Sequence, residues 1–88
     1  MNWLFLNPIK DDHWGGMENW MLKLCQGLPA HGDSCLVAGR PRSRWPEVCR
    51  REGIAYVPFA FGFDLAPWAL WRLRGICRRF LPGIVVAK

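Results

Sequence analysis

The chain contains no long hydrophobic run. Its most extended apolar region, Ile54 to Phe63, is interrupted by Pro58 and Gly62, so nothing approaches the roughly 20 residues a membrane-spanning helix needs. The apolar run Trp3 to Leu6 is too short for the core of a secretory signal and leads into Pro8 and two aspartates; the expectation is a cytoplasmic protein without a leader. Neither G-x-G-x-x-G nor G-K-[ST] occurs, which removes the dinucleotide and ATP-hydrolysis signatures. The four cysteines, Cys25, Cys35, Cys49 and Cys77, include no C-x-x-C pair. Each falls where the hydrophobic pattern faces inward, so they read as buried reduced thiols rather than a zinc site.

Acidic residues are scarce in the second half. Residues 40–88 carry ten Lys and Arg against Glu47, Glu52 and Asp64, a net charge of +7, whereas residues 1–39 sum to −2. A basic surface of this kind suits an anionic membrane face, a phosphorylated substrate, nucleic acid or a plain solvated face; no recognition motif accompanies the charge, which argues against nucleic acid. With 88 residues, 51% apolar and 22% charged, the chain can form one small domain around a thin core. Six tryptophans exceed what such a core holds, so some of the rings should face outward or towards a partner.

The stretch from Asn2 to Leu28 organises the rest. A short apolar strand (Trp3 to Leu6) leads through a polar loop (Asn7 to Trp14) and a glycine pair (Gly15, Gly16) into an amphipathic helix expected over about 17–31. Met17, Trp20, Met21, Leu24, Cys25 and Leu28 form its apolar stripe, with Glu18, Asn19, Lys23 and Gln26 facing away. Pro29 should distort the last turn, and Gly32 should end it before a second strand, Ser34 to Ala38. A short helix over Trp45 to Glu52, with Pro46 in its first turn and Trp45, Val48 and Cys49 inward, ends at Gly53. A third strand follows at Ala55 to Phe59, then a loop from Phe61 to Asp64. Asp64 is placed to cap a third helix with Ala69, Leu70, Leu73, Ile76, Cys77 and Phe80 inward and Arg72, Arg74, Arg78 and Arg79 off that stripe. After Pro82-Gly83, Ile84 to Ala87 is a fourth, wholly apolar strand.

Apolar strands alternating with helices predict an α/β fold: a Rossmann-like, doubly wound parallel sheet of four strands in the order 3-2-1-4, covered on both faces. The helices after strands one and two should share one face, and the helix after strand three should take the other. Ligands of such sheets bind at the carboxyl ends of the strands, beside the reversal between strands one and four, where the Asn7 to Gly16 loop and Lys88 both fall. A strand emptying through a glycine pair onto a helix start leaves backbone N–H groups uncovered, with the positive end of the helix dipole behind them. Gly15 and Gly16 are accordingly the candidate phosphate seat, with a tight packing turn as the alternative.

The run Gly15-Gly16-Met17-Glu18 between strand and helix, the helix end Leu28-Pro29-Ala30-His31-Gly32-Asp33, the strand closing on Ala38-Gly39-Arg40 and the apolar strand after Arg78-Arg79-Phe80-Leu81-Pro82 together resemble the N-terminal domain of glycosyltransferase family 4. That resemblance implies a partial N-terminal, acceptor-side domain of a retaining GT-B enzyme over residues 1–88, a fragment of a longer chain. The parent would transfer a sugar from a nucleotide-sugar, acting as co-substrate with no other cofactor, to a glycan or lipid-linked acceptor. Gly15 and Gly16 would approach the donor diphosphate. His13, Trp14, Glu18 and Lys88 are acceptor-side candidates, and no residue is assigned to catalysis. The family's Glu-x7-Glu motif is absent from these residues, so the chain alone is expected to be inactive.

Two further readings stay open. One is a small flavodoxin-like domain that binds a phosphorylated ligand at the same loop. The other is a non-catalytic protein-interaction domain that docks through exposed tryptophans. Asp11, Asp12 and His13 read as a solvated loop rather than a metal site. Arg40, Arg42, Arg44 and the helix-three arginines, interleaved with Trp45, Trp68 and Trp71, suit peripheral contact with the inner face of an anionic membrane.

Overall fold

A computed structural model of the chain describes residues 1–59 and 67–87, the side chains of residues 67–70 excepted. Strand β1 (Asn2–Asn7) leads to helix α1 (Gly16–Gly27), a 3-10 turn (Leu28–His31), β2 (Ser34–Gly39), α2 (Trp45–Glu52), β3 (Ala55–Pro58), α3 (Pro67–Phe80) and β4 (Ile84–Ala87). The four strands form one sheet in the order β3-β2-β1-β4. All three pairings are parallel, with Leu4 opposite Leu36 and Val85, and Val37 opposite Tyr56. The fold is therefore the Rossmann-like α/β arrangement anticipated from the order of apolar strands.

Because parallel partners in register point to the same side, the pleat sorts side chains into two cores. Phe5 and Val37 meet Met21, Cys25 and Leu28 of the α1 segment and Trp45 and Cys49 of α2 on one face. Leu4 and Ala38 meet Phe59 on the other, with Leu73, Ile76, Cys77 and Phe80 of α3 packed against them. The helices thus divide between the faces as the crossovers require. Phe5, Met21 and Trp45 are each fully buried, and burying a side chain of that size contributes on the order of 2 kcal/mol.

Several boundaries follow local chemistry. Pro29 has no N–H to return to the Cys25 carbonyl, so α1 stops at Gly27 and the chain tightens into the 3-10 turn. Gly32 ends that turn at φ +77°, a conformation costly for other residues, and donates to the Pro29 carbonyl at 3.1 Å. Helix α2 matches its expected span, with Pro46 in its first turn and Gly53 closing it.

The burial of α1 departs from the sequence reading in two ways. Glu18, expected to face away, is 2% exposed, while Trp20, expected inward, is 49% exposed. Met17 is exposed as well. The buried arc of the helix is rotated towards Glu18 because a buried partner, Asn7, waits beneath it at the end of β1. Trp45 is buried, so it cannot belong to a membrane-facing aromatic row; of the tryptophans assigned to that row, Trp71 is exposed and the side chain of Trp68 lies outside the described residues. The Phe61 to Asp64 loop, the Asp64 cap, the inward positions of Ala69 and Leu70, and Lys88 also lie outside them.

Candidate functional site

Asn7 is the last residue of β1 and is completely buried. Its Oδ1 accepts the Ile9 N–H at 3.0 Å, turning the chain at Pro8. Its Nδ2 donates to Glu18 Oε2 at 2.7 Å and lies 3.4 Å from Met21 Sδ. The other carboxylate oxygen, Glu18 Oε1, accepts the Gly15 N–H at 2.9 Å, so Glu18 sits at the third helical position and reaches back to the residue that caps its own helix. One buried carboxylate therefore ties the end of β1 to the start of α1.

This clamp divides the glycine pair. The Gly15 amide, expected to be uncovered, is covered by Glu18, and a Cβ at Gly15 would stand 3.3 Å from Oε1. Gly15 has extended backbone geometry, so that contact, rather than a left-handed φ, is what favours glycine there. Gly16 differs: no atom lies within 4 Å of the position its Cβ would take. As the first helical residue it belongs to the turn whose amides lack intrahelical acceptors.

The wall beside the pair comes from the loops after β1 and β2. Asp11, at φ +59°, donates its N–H to the Arg42 carbonyl at 2.6 Å, and Arg40 Nε donates to the Pro8 carbonyl at 2.7 Å. Ser43 Oγ donates to the Arg40 carbonyl at 2.7 Å and accepts from the Trp45 N–H at 3.2 Å, closing the second loop onto α2. Trp14 lies against Trp45, with ring centroids 4.8 Å apart and planes tilted by 56°, and donates from Nε1 to Asn19 Oδ1 at 2.7 Å. The Arg44 guanidinium lies 5.3 Å from the centre of the Trp14 ring, placing a cation beside the residue that precedes the glycine pair.

Comparison of the chain with protein-family models, with curated proteins and with solved structures finds no match. The site rests on its own geometry. Of the sequence candidates, Trp14, Gly15, Gly16 and Glu18 converge at the carboxyl end of β1; His13 is exposed on the loop rim. Among the described residues no group of three His, Cys, Asp or Glu side chains is arranged to hold a metal ion, and no helix is long and apolar enough to cross a membrane.

Asn7 and Tyr56 were missed as structural parts of this end of the sheet. Asn7 carried a signal: an asparagine closing an apolar strand, two residues before an amide it can cap. Tyr56 donates its hydroxyl proton to the Gly39 carbonyl at 2.8 Å. Burial, with a smaller contribution from the Cys49 thiol, pushes its pKa up to about 12.

Proposed function

We propose that the chain is the acceptor-side half-domain of a retaining GT-B glycosyltransferase, whose parent moves a sugar from a nucleotide-sugar to a glycan or lipid-linked acceptor. The observation that carries this reading is Gly16: an exposed glycine on the first turn of α1, at the carboxyl end of β1 and beside the β1–β4 reversal, with open space where a side chain would project. In this reading the donor diphosphate lies over Gly16, and the cation at Arg44 favours its charge. Trp14 and His13 line the acceptor side. Glu18 holds the loop in place rather than gripping an acceptor hydroxyl, because both its oxygens are engaged by Asn7 and Gly15.

Transfer needs a second wall to orient the donor, so residues 1–88 alone should show no turnover with labelled nucleotide-sugars and lipid extracts. The coding sequence beyond Lys88 should supply a second Rossmann-like domain bearing Glu-x7-Glu. Robust turnover by the 88 residues, or a downstream sequence without such a domain, would overturn the reading.

A second reading, a non-catalytic interaction domain, is favoured by one specific feature. Trp20 and Trp71 are 49% and 77% exposed, a large apolar area to leave in water. It forecasts that Trp20→Ala and Trp71→Ala abolish capture of a protein partner while leaving the Tm unchanged, and that the full-length product shows no transfer.

A further inference from the structure

Three cysteines converge on the α1/α2 face of the sheet: Cys25 from α1, Cys35 from β2 and Cys49 from α2. The link between the first two begins with Pro29. Lacking an N–H, it leaves the Cys25 carbonyl without its usual helical donor, and the Cys35 thiol fills the gap, with Sγ 3.9 Å from that oxygen. That contact sets Cys35 against the helix turn that carries Cys25. Both border a cavity of about 380 Å³ at the amino ends of β2 and β3, alongside Gln26, Pro29, Asp33 and Glu52. Cys35 is half-buried, whereas Cys25 and Cys49 are buried and Cys49 does not border the cavity.

We propose that Cys25 and Cys35 form a redox-sensitive dithiol that a hydroperoxide closes to a disulfide, Cys35 attacking and Cys25 resolving. The Cys35 thiolate attacks one peroxide oxygen and the O–O bond breaks, leaving a sulfenic acid on Cys35, while the departing oxygen takes up the proton lost by the thiol and leaves as water, or as an alcohol from an organic hydroperoxide. The Cys25 sulfur then attacks the Cys35 sulfur, forming the S–S bond and expelling water. The two electrons lost by the thiols reduce one equivalent of peroxide. A cavity of this size, bordered by the half-buried Cys35, admits a small oxidant such as a hydroperoxide. Thiol acidity follows the same order: the hydrogen bond from Cys25 lowers Cys35 against the opposing effect of burial, while that bond and burial raise Cys25. Burial, with a smaller effect from Cys35, pushes Cys49 up to about 12. The pair lies at the opposite end of the sheet from Gly16 and does not depend on the transferase reading.

Peptide mapping tests this on the intact chain. After hydrogen peroxide and then iodoacetamide, trypsin should release residues 24–42 as one peptide holding both cysteines, since Arg40-Pro41 resists cleavage; Cys49 and Cys77 fall on separate peptides. The expected 24–42 peptide carries no alkyl group, is two hydrogens lighter, and takes two alkyl groups only after reduction. A doubly alkylated 24–42 peptide, or a crosslink from it to the Cys49 peptide, overturns the proposal. Dimedone should trap a sulfenic acid on Cys25→Ser but not on Cys35→Ser, and equal labelling would refute the assigned roles. Should either variant fail to fold, native alkylation of the reduced wild type decides the roles, with Cys35 reacting at least about tenfold faster than Cys25; the reverse order refutes them.

Discussion

Replacing Glu18 by glutamine changes almost no volume, yet it should be among the most damaging single substitutions in α1. Both carboxylate oxygens accept, one from Gly15 N–H at 2.9 Å and one from Asn7 Nδ2 at 2.7 Å. Glutamine offers one oxygen and one NH2 group, so whichever way it turns, one contact becomes donor against donor. Flipping Asn7 only moves the conflict, because its Oδ1 already accepts the Ile9 N–H. If the NH2 faces Gly15, that amide loses its acceptor in a half-buried contact; if it faces Asn7, a completely buried group is left unpaired. Losing one charge-assisted hydrogen bond in this setting costs about 2 kcal/mol, and for a domain of this size that lowers Tm by roughly 8–16 °C. Glu18→Ala should cost more, about 3 kcal/mol or above, since both contacts and the packing of the stem are lost. Urea and thermal unfolding followed by circular dichroism measure both variants against wild type. A Glu18→Gln protein within about 0.5 kcal/mol of wild type would refute the clamp.

Other expected outcomes follow from neighbouring contacts. A Cβ at Gly39 would stand 3.2 Å from Trp45 Cβ and Cδ1, and the buried indole has little room to yield, so Gly39→Ala should destabilise by about 1–3 kcal/mol in urea unfolding; an unchanged midpoint would show that α2 shifts freely. Tyr56 is the single tyrosine, so phenolate absorbance reports it alone; it should ionise near 12 rather than 10. Because the folded state holds the neutral form, its contribution to stability is fully present below pH 10 and is lost as pH rises towards 12; Tyr56→Phe should remove that part of the alkaline decline. If the basic half meets an anionic membrane, co-sedimentation with anionic vesicles should fall sharply between low and high salt, each Lys or Arg near the surface contributing about 1 kcal/mol. Equal binding to neutral and anionic vesicles would remove that claim.

The sheet order and the bounds of α2 were legible in the chain because they depend on one-dimensional signals: apolar strands, a proline at a helix start, a glycine at its end. The face of α1 was not fully legible. Periodicity treats every carboxylate as a solvent-facing residue, and nothing in the spacing shows that Glu18 stands over Asn7, eleven positions earlier and in another element. That pair turned the helix far enough to leave Trp20 in water. Likewise, the glycine pair was readable as a seat, but its division was not, since the atom covering Gly15 comes from a side chain assigned to the opposite face. The thiols read as inward from the pattern; Cys49 is buried and Cys77 half-buried, and so, in that order, are Cys25 and Cys35. Their pairing through the carbonyl that Pro29 leaves open needed three dimensions.

The most direct test of the central claim follows the backbone amides of the isotope-labelled chain by NMR as a nucleoside diphosphate is added. The account predicts saturable shifts centred on Gly16 and Met17, with little change at Cys35 or Ser34 at the far end of the sheet. Gly16→Val should keep the wild-type Tm, because a Cβ there projects into open space, yet abolish those shifts by filling the space a phosphate would occupy. Shifts scattered over the basic surface, or shifts at Met17 that survive Gly16→Val, would contradict it and place any phosphate site elsewhere.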